Sequence, residues 1–208
     1  MSLRDETNLL YEIGNLRLIQ RQWVRFHLPG VANLAEHHFR VAWIALVIAK
    51  YEKCTDTDTI LKMALIHDVS ESRTGDVDYI ARQYVERYED QGIQDIFANS
   101  DLSKEMVQLW RDYEKRDSLA AKIVKDADNL DVDLDLREQG AQGNKLEKHW
   151  TKQRKFVGTN KMYTATGKKL HTLIWTTSPH DWHIKSPNNR LKGGDWKDAK
   201  PKKKKSAK

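Results

Sequence analysis

Hydrophobic residues recur along this chain at intervals of three and four, which is the period of an amphipathic α-helix. In the first such stretch, 5–21, Leu9, Ile13 and Leu16 share one helical face. The same pattern predicts further helices at 34–53, from 55–58 into 67–68, and at 76–89, 102–115, 118–138 and 146–156. Residues 90–99 carry no clear pattern. For 164–177 the pattern favours a last helix, with a pair of strands as the alternative because threonine is abundant there.

Capping residues and helix breakers stand where these predicted helices begin and end. Asn33 precedes the second helix, and Glu36 follows it with the spacing of a capping box. Gly75 interrupts the segment that starts at 55–58. A chain of 208 residues has the length of one domain with or without a tail. We therefore predict an all-α fold with a single domain at 1–185.

The charge of the chain lies at its C-terminal end. Residues 191–208 contain eight Lys and two Asp, which accounts for the whole formal charge of +6. Residues 1–190 are balanced, so we expect no specific nucleic-acid partner for the folded body. From residue 186 onward Asn, Gly, Lys and Pro dominate, which predicts a disordered, flexible tail at 186–208. We expect this tail to add solubility or a loose attraction to polyanions.

Several features favour a cytoplasmic protein with no membrane partner. The longest apolar run, 41–49, is far too short to span a bilayer. The first six residues are polar and lack the apolar centre of a signal peptide. Cys54 is the only cysteine, so an intramolecular disulfide is impossible, as suits a reducing compartment.

The stretch 63–76 carries the first sign of chemistry. Its apolar start ends in the doublet His67-Asp68, and Glu71 follows four residues after the histidine. On one continuous helix this spacing would place Glu71 on the face of the doublet. An imidazole beside a carboxylate offers nitrogen and oxygen ligands for a divalent metal. Most His-Asp doublets are ordinary helix ends, so the interpretation depends on further ligands elsewhere in the chain.

Two other predicted helices offer such ligands. His37 and His38 are neighbours about 100° apart on a helix, so at most one of them faces a given site. Asp128 lies at the border of the apolar face of its helix, where a buried carboxylate needs a metal, an arginine or a hydrogen-bond network. The other carboxylates of that helix are predicted to face solvent or to cap: Asp126, Asp131, Asp133 and Asp135.

Two further clusters have an ordinary interpretation when taken alone. Arg21 and Arg25 are expected to form a solvated, cationic helix end. The stretch 180–183, His-Asp-Trp-His, looks superficially like a metal cluster, but we predict a loop that packs on the surface.

In chain order the candidates are His37, then His67-Asp68, then Asp128. This order resembles the metal-binding signature of the HD-domain phosphohydrolase superfamily, and over about residues 8–178 the chain looks most like its 5′-deoxynucleotidase branch. The local matches are Arg21-Gln22-Trp23, Ala35-Glu36-His37, the motif at 67–76 with Glu71, Gly75 and Asp76, the segment 124–128 and, less closely, the segment 109–114.

The resemblance implies an all-α HD-domain helical bundle with one divalent transition metal ion, which could be Mn, Co, Fe, Ni or Zn. The implied metal ligands are His37, His67, Asp68 and Asp128. The implied catalytic residues are Glu71, which carries a proton, Arg21, which holds phosphate oxygens, and Asp76. The implied substrate-binding residues are Arg21, Trp23, Asp76, Tyr113 and Glu114.

The resemblance also implies a reaction, namely hydrolysis of deoxynucleoside 5′-monophosphates to nucleoside and phosphate, and a homodimer. A nucleoside triphosphohydrolase and a non-catalytic, nucleotide-binding regulatory protein are the alternatives. The presence of Glu71 favours an enzyme. The acidic run 131–135 and the Lys-rich end lie outside the family pattern and leave the substrate class open.

Overall fold

A computed structural model of the chain describes residues 2–28 and 30–185, so the predicted tail at 186–208 lies outside the described residues. The described part is helical. The α-helices are α1 (Leu3–Gly14), α2 (Leu34–Tyr51), α3 (Thr57–Ile66), α4 (Glu71–Thr74), α5 (Glu89–Phe97), α6 (Ser103–Lys115), α7 (Leu119–Ala141), α8 (Leu146–Asn160), α9 (Ala165–Thr176) and α10 (Asp181–Ile184). Short 3-10 turns lie at Asn15–Leu18, Gln22–Phe26 and Ala81–Gln83.

The prediction of an all-α fold is confirmed. Across 2–28 and 30–185 the only β-type pairing is an isolated antiparallel bridge between Gln20 and Asn33. The strand alternative for 164–177 is wrong, because α9 occupies that stretch and Thr164 caps its first turn by accepting from the Gly167 N–H. The capping box of Asn33 and Glu36 is present at the start of α2.

Helix α7 is the centre of the fold. It packs against α2, α3, α6, α8 and α9, so nearly its whole circumference is covered by other helices. The main core lies where α2 and α3 meet α7, with fully buried Val41, Ile60 and Leu130 among its members. A second core joins α1, α5 and α6 and contains Ile93 and Trp110.

The predicted solvent exposure of the α7 carboxylates is wrong. Asp126, Asp131, Asp133 and Asp135 are all buried, because helices cover the faces on which they lie. Asp126 accepts from the backbone N–H groups of Tyr163 and Thr164, both at 2.8 Å, and so anchors the start of α9. Each of these buried carboxylates has at least one polar partner, as a desolvated carboxylate requires.

Two other helix predictions are also wrong in part. The first helix ends at Gly14 rather than near residue 21, and the chain continues as a 3-10 turn. The stretch 76–89 is mostly irregular, because the Asp78 side chain accepts from the N–H groups of Ile80 and Ala81 at 2.9 and 3.1 Å. Such local hydrogen bonds compete with a helix. Residues 90–99, which carry no clear sequence pattern, lie largely in α5.

The stretch 63–76 is not one continuous helix. α3 ends at Ile66, the chain turns through 67–70, and α4 begins at Glu71. Gly75 ends α4 with φ 74°, a left-handed conformation that glycine adopts without strain. After this turn, Asp68 and Glu71 line the same cavity.

Candidate metal centre and its cavity

Four side chains from three helices converge at one point. His37 comes from the first turns of α2, His67 and Asp68 follow α3 directly, and Asp128 lies in α7. One ligand atom from each lies within 4.8 Å of those from the others. The Nε2 atoms of the two histidines are 3.2 Å apart, and His37 Nε2 lies 3.4 Å from Asp128 Oδ1. The structure therefore brings together all four side chains that the resemblance implies as metal ligands.

The hydrogen bonds behind the two imidazoles fix their tautomers. His67 Nδ1 donates to the Ala64 carbonyl at 2.8 Å, and His37 Nδ1 donates to Asp131 Oδ2 at 2.5 Å. Because a carbonyl and a carboxylate can only accept, each Nδ1 keeps its proton, and Nε2 is the ring nitrogen that can ligate a metal ion. Two such nitrogens and two carboxylate oxygens form a donor set that fits a divalent transition ion.

The electrostatics of the cluster also favour a cation. Burial lowers the pKa of His37, but the hydrogen-bonding carboxylates around it outweigh burial and raise that pKa to about 10. The pKa values of Asp68 and Asp128 are held well below their ordinary value despite burial, by charges that include His67 and Lys125. Without a metal, the cluster therefore favours a second proton on His37. A divalent ion can supply this positive charge in place of the proton.

His38 lies beside the cluster but outside it. The four-membered group excludes it, and its ring packs on that of His67 with centroids 4.6 Å apart. Burial is the largest of the effects that lower the pKa of His38 well below its ordinary value, so this ring is neutral.

Glu71 reaches the same cavity from the start of α4. It is 5% exposed, and among the described residues its Oε2 has no hydrogen-bond partner. Burial, followed by the charges of Asp68 and Asp76, raises the pKa of Glu71 to about 10. In the absence of a metal ion, the protonated form of this carboxyl group is therefore favoured.

Arg21 is buried rather than solvated, so the expectation of a cationic helix end is wrong for this residue. Its Nη1 lies 3.5 Å from Asp68 and 3.6 Å from Asp76, and in the described part of the chain its Nε has no hydrogen-bond partner. The irregular chain around 19–21 turns the side chain inward. Arg25, one 3-10 turn later, is more than half exposed and pairs with Asp78.

Asp76 is held in place by a residue that sequence reasoning missed. The backbone N–H of Gln22 donates to one carboxylate oxygen at 3.0 Å, and its side-chain amide donates to the other at 3.1 Å. Gln22 follows Arg21 directly, so one short segment places the guanidinium and fixes the carboxylate beside it.

These side chains line a cavity of about 300 Å³ that also contains Trp23, Tyr113 and Glu114. The Tyr113 ring packs edge-on against the His67 ring, with centroids 5.4 Å apart. The Arg116 guanidinium lies over the Tyr113 ring, 3.3 Å from its centroid. Glu114 is more exposed than Trp23 and Tyr113. The cavity wall includes basic and amide side chains that sequence reasoning missed: Arg82, Arg87, Arg116, Lys125, Asn129 and Arg154.

The His180 stretch lies elsewhere, on the surface. It forms α10 rather than a loop, and the exposed rings of His180 and His183 approach within 3.1 Å. The four-residue ligand group does not include them.

An all-helical fold that gathers two histidines and two aspartates from separate helices beside a basic cavity defines the class of metal-dependent HD proteins. The sequence profile of the HD domain matches residues 13–171, about three quarters of the chain. The chain belongs to the HD domain family.

The curated relatives carry a more specific name. The 5′-deoxynucleotidase HDDC2 of Bos taurus is 31% identical over 147 residues, which cover 66% of this chain and 71% of that protein. The Homo sapiens protein of the same name is 30% identical over 65% of this chain and 68% of its own length. The Dictyostelium discoideum protein, also of this name, is 30% identical over 77% of this chain and 88% of its length.

Solved structures share the fold. A conserved hypothetical protein from Pyrococcus furiosus has a TM-score of 0.69 at 23% identity, over 82% of this chain and 99% of that one. A protein from Magnetospirillum magnetotacticum, described as a predicted metal-dependent phosphohydrolase, has a TM-score of 0.65 at 24% identity, over 84% and 94%. In the described ranges no helix is long and apolar enough to cross a membrane.

Proposed function

We propose that this protein is a metal-dependent 5′-deoxynucleotidase that hydrolyses deoxynucleoside 5′-monophosphates to nucleoside and phosphate. The observation that carries the proposal is the four-ligand cluster of His37, His67, Asp68 and Asp128, whose two aspartates line one cavity with Arg21 and Glu71. The relatives named 5′-deoxynucleotidase, at 30 to 31% identity over most of the chain, support it.

His37, His67, Asp68 and Asp128 hold the divalent ion, which is Mn, Co, Fe, Ni or Zn. Their fixed tautomers and low carboxylate pKa values keep all four groups ready to ligate. When bound, the ion supplies Lewis acidity, which polarises a phosphoryl oxygen and acidifies a water molecule.

Arg21 orients the phosphate. Its guanidinium group is buried 3.5 Å from Asp68, so a phosphate oxygen at the cluster is within reach of its planar fork. In the described part of the chain the Nε–H lacks a partner, and a phosphate oxygen would supply one.

Glu71 carries the proton of the reaction. Burial raises the pKa of Glu71, which suits its carboxyl group to donate a proton to the 5′ oxygen as the bond between that oxygen and phosphorus breaks. In an in-line displacement, water would form its bond to phosphorus on the opposite side, and the proton that it loses would return to the Glu71 carboxylate.

Free hydrogen-bond donors in the cavity wall support a substrate with one phosphate. Arg82, Arg87, Lys125 and Arg154 already bind Val77, Glu89, Asp128 and Asp133, respectively. Among the described residues, Arg21, Arg87 and Arg116 each have a buried guanidinium nitrogen without a hydrogen-bond partner. The Arg87 nitrogen already pairs with the Glu89 carboxylate, which leaves Arg21 and Arg116 to bind the oxygens of a single phosphate.

The nucleoside is bound by the remaining lining residues. Asp76, with both oxygens already positioned by Gln22, presents its remaining lone pairs to a sugar hydroxyl. Trp23 and Tyr113 offer aromatic surface to the sugar and base. Glu114, at the more open side, binds polar groups of the nucleoside.

We also propose that residues 1–185 form one domain and that the protein is a cytoplasmic homodimer. The single half-buried Cys54 supports a reducing compartment. A stripe of exposed residues four positions apart on α2 supports the dimer, since large exposed apolar patches mark interaction sites: Phe39, Trp43, Val47 and Tyr51. Light scattering should give twice the chain mass of 24.3 kDa, and Trp43→Lys should give the monomer. A monomeric wild type would contradict the dimer.

A nucleotide panel tests the function. The purified chain is stripped of metal, resupplied with each candidate ion, and assayed for phosphate and polyphosphate release from deoxynucleoside and ribonucleoside mono-, di- and triphosphates. We expect phosphate release to be fastest from deoxynucleoside monophosphates. Release of tripolyphosphate would identify a triphosphohydrolase, and nucleotide binding without release would identify a non-catalytic binding protein.

A further inference from the structure

The imidazole of His37 is held from behind, on the side away from the metal cluster. Its Nδ1 donates to Oδ2 of Asp131 at 2.5 Å, and both side chains are at most 1% exposed. Because the carboxylate only accepts, the Nδ1 proton is held on this side, and Nε2 is the nitrogen that faces the cluster and can ligate a metal ion.

Asp131 is held in turn by Arg40. The Arg40 Nε–H donates to Oδ1 of Asp131, so the two oxygens of this carboxylate serve two different partners. The rest of the guanidinium group is also engaged. Nη2 donates to Asp135, and Nη1 donates to both oxygens of Glu138 at 3.0 and 2.8 Å. The fork therefore has one fixed orientation.

Helical spacing builds this chain of contacts. His37 and Arg40 are three residues apart on α2, and α7 crosses them with Asp131, Asp135 and Glu138 on one face. Asp128 lies on that same face, three residues before Asp131. One face of α7 thus gives a carboxylate to the metal cluster and the next carboxylate to the histidine opposite it.

We propose that Asp131 is a positioning residue for the metal centre, which holds His37 in its ligating tautomer and orientation, and that Arg40 keeps Asp131 in place. This inference rests on the proposed function, because it requires a divalent ion at the His37 cluster. Removal of such an outer partner typically weakens metal binding about 10- to 100-fold.

Asp133 provides a matched control on the same helix. It is fully buried, accepts from the Arg154 Nε–H at 2.7 Å and accepts from the Trp175 ring N–H at 3.1 Å. It thus combines an arginine and a ring N–H as Asp131 does, but it lies on the face of α7 toward α8 and α9. Loss of Asp133 removes a buried ion pair without releasing His37.

The test measures Co²⁺ affinity of the full chain by competition with a chelator, together with the visible spectrum of bound Co²⁺ and thermal melting. We expect Asp131→Asn to bind about 10- to 100-fold more weakly, with an altered Co²⁺ spectrum. Asp133→Asn should melt at a lower temperature yet bind Co²⁺ within about twofold of wild type, since Asp133 and His37 share no hydrogen-bond partner in the described part of the chain. Arg40→Lys keeps the positive charge but loses the planar guanidinium group that fixes Asp131, so this variant should bind Co²⁺ about tenfold more weakly.

Wild-type affinity with an unchanged spectrum in Asp131→Asn would overturn the inference, and so would an equal loss in Asp133→Asn. If Asp131→Asn fails to fold, Arg40→Lys decides in its place, and wild-type affinity in that variant would overturn the role of the pair. The proposed function is tested separately. If the wild type binds Co²⁺ but releases no phosphate, the proposed enzyme activity is excluded, and the positioning role of Asp131 still holds.

Discussion

The Nε2 atoms of His37 and His67 lie 3.2 Å apart, while each ring donates its Nδ1–H in another direction. At this distance either a proton on the His37 ring or a metal ion must separate the two nitrogen lone pairs. The carboxylates of Asp68 and Asp128 complete the ligand group. This pair of histidines is therefore the feature that most directly favours a cation at the cluster, where a divalent ion can replace the proton of His37.

The first prediction concerns metal content. Asp68→Ala removes one of two carboxylate ligands, so it should lose most of its divalent ion after dialysis, as measured by elemental analysis. Asp58→Ala, an exposed carboxylate on α3 that pairs with Lys62, is the control and should keep full occupancy. Full occupancy in Asp68→Ala would remove Asp68 from the ligand set.

The second prediction concerns stability and pH without metal. The pKa of Glu71 rises from 4.5 in the unfolded chain to about 10 in the folded one. Its contribution to stability is therefore fully present below about pH 4.5 and is lost as the pH rises toward 10. Glu71→Gln cannot ionise, so its melting temperature in chelator should exceed that of wild type by a margin that grows with pH. A margin that stays constant or shrinks would contradict the raised pKa.

The third prediction separates Arg21 from Arg25, which lie four residues apart. Arg21→Gln removes a charged hydrogen bond to phosphate worth about 1.5–3 kcal/mol, so the Michaelis constant should rise at least about tenfold. Arg25→Gln removes a half-exposed ion pair with Asp78 and should leave steady-state kinetics nearly unchanged. Equal effects of the two variants would exclude Arg21 as the phosphate-binding residue.

The fourth prediction concerns the Lys-rich end. Truncation after Arg190 removes the excess positive charge but none of the residues that line the cavity. Turnover of a small nucleotide should stay nearly unchanged. A loss above tenfold, or about 1.4 kcal/mol in the barrier, would mean that this segment acts at the site.

The helices and the ligand order could be predicted from the sequence, because both depend on local spacing. The period of three and four fixes α2 and α7, and the order of His37, His67-Asp68 and Asp128 is a linear signature. The prediction for the stretch after Gly75 is wrong, since the Asp78 side chain accepts from the backbone N–H groups of Ile80 and Ala81 in place of a continuous helix.

The surroundings of the site could not be predicted from local spacing. Arg21 carries the same charge as Arg25, and only the path of the chain makes one buried and the other exposed. Arg87 and Arg116 enter the cavity from irregular or helix-terminal backbone that no periodicity describes. The spacing alone indicates that Asp131 lies near the site, because it follows Asp128 by one helical turn. Its partner Arg40 is 91 residues away in sequence, so their contact could not be predicted.

The most direct test of the account is phosphate release by Glu71→Gln from deoxynucleoside monophosphates, measured with metal content and nucleotide binding. The variant should keep the ion and bind nucleotide, because neither the ligands nor Arg21 change, and turnover should fall by about 10²–10⁴. Glu105→Gln, an exposed site on α6 paired with Lys62, should match wild type. Wild-type turnover in Glu71→Gln would contradict its role as proton carrier, and absence of phosphate release by the wild type with every divalent metal would contradict the enzyme.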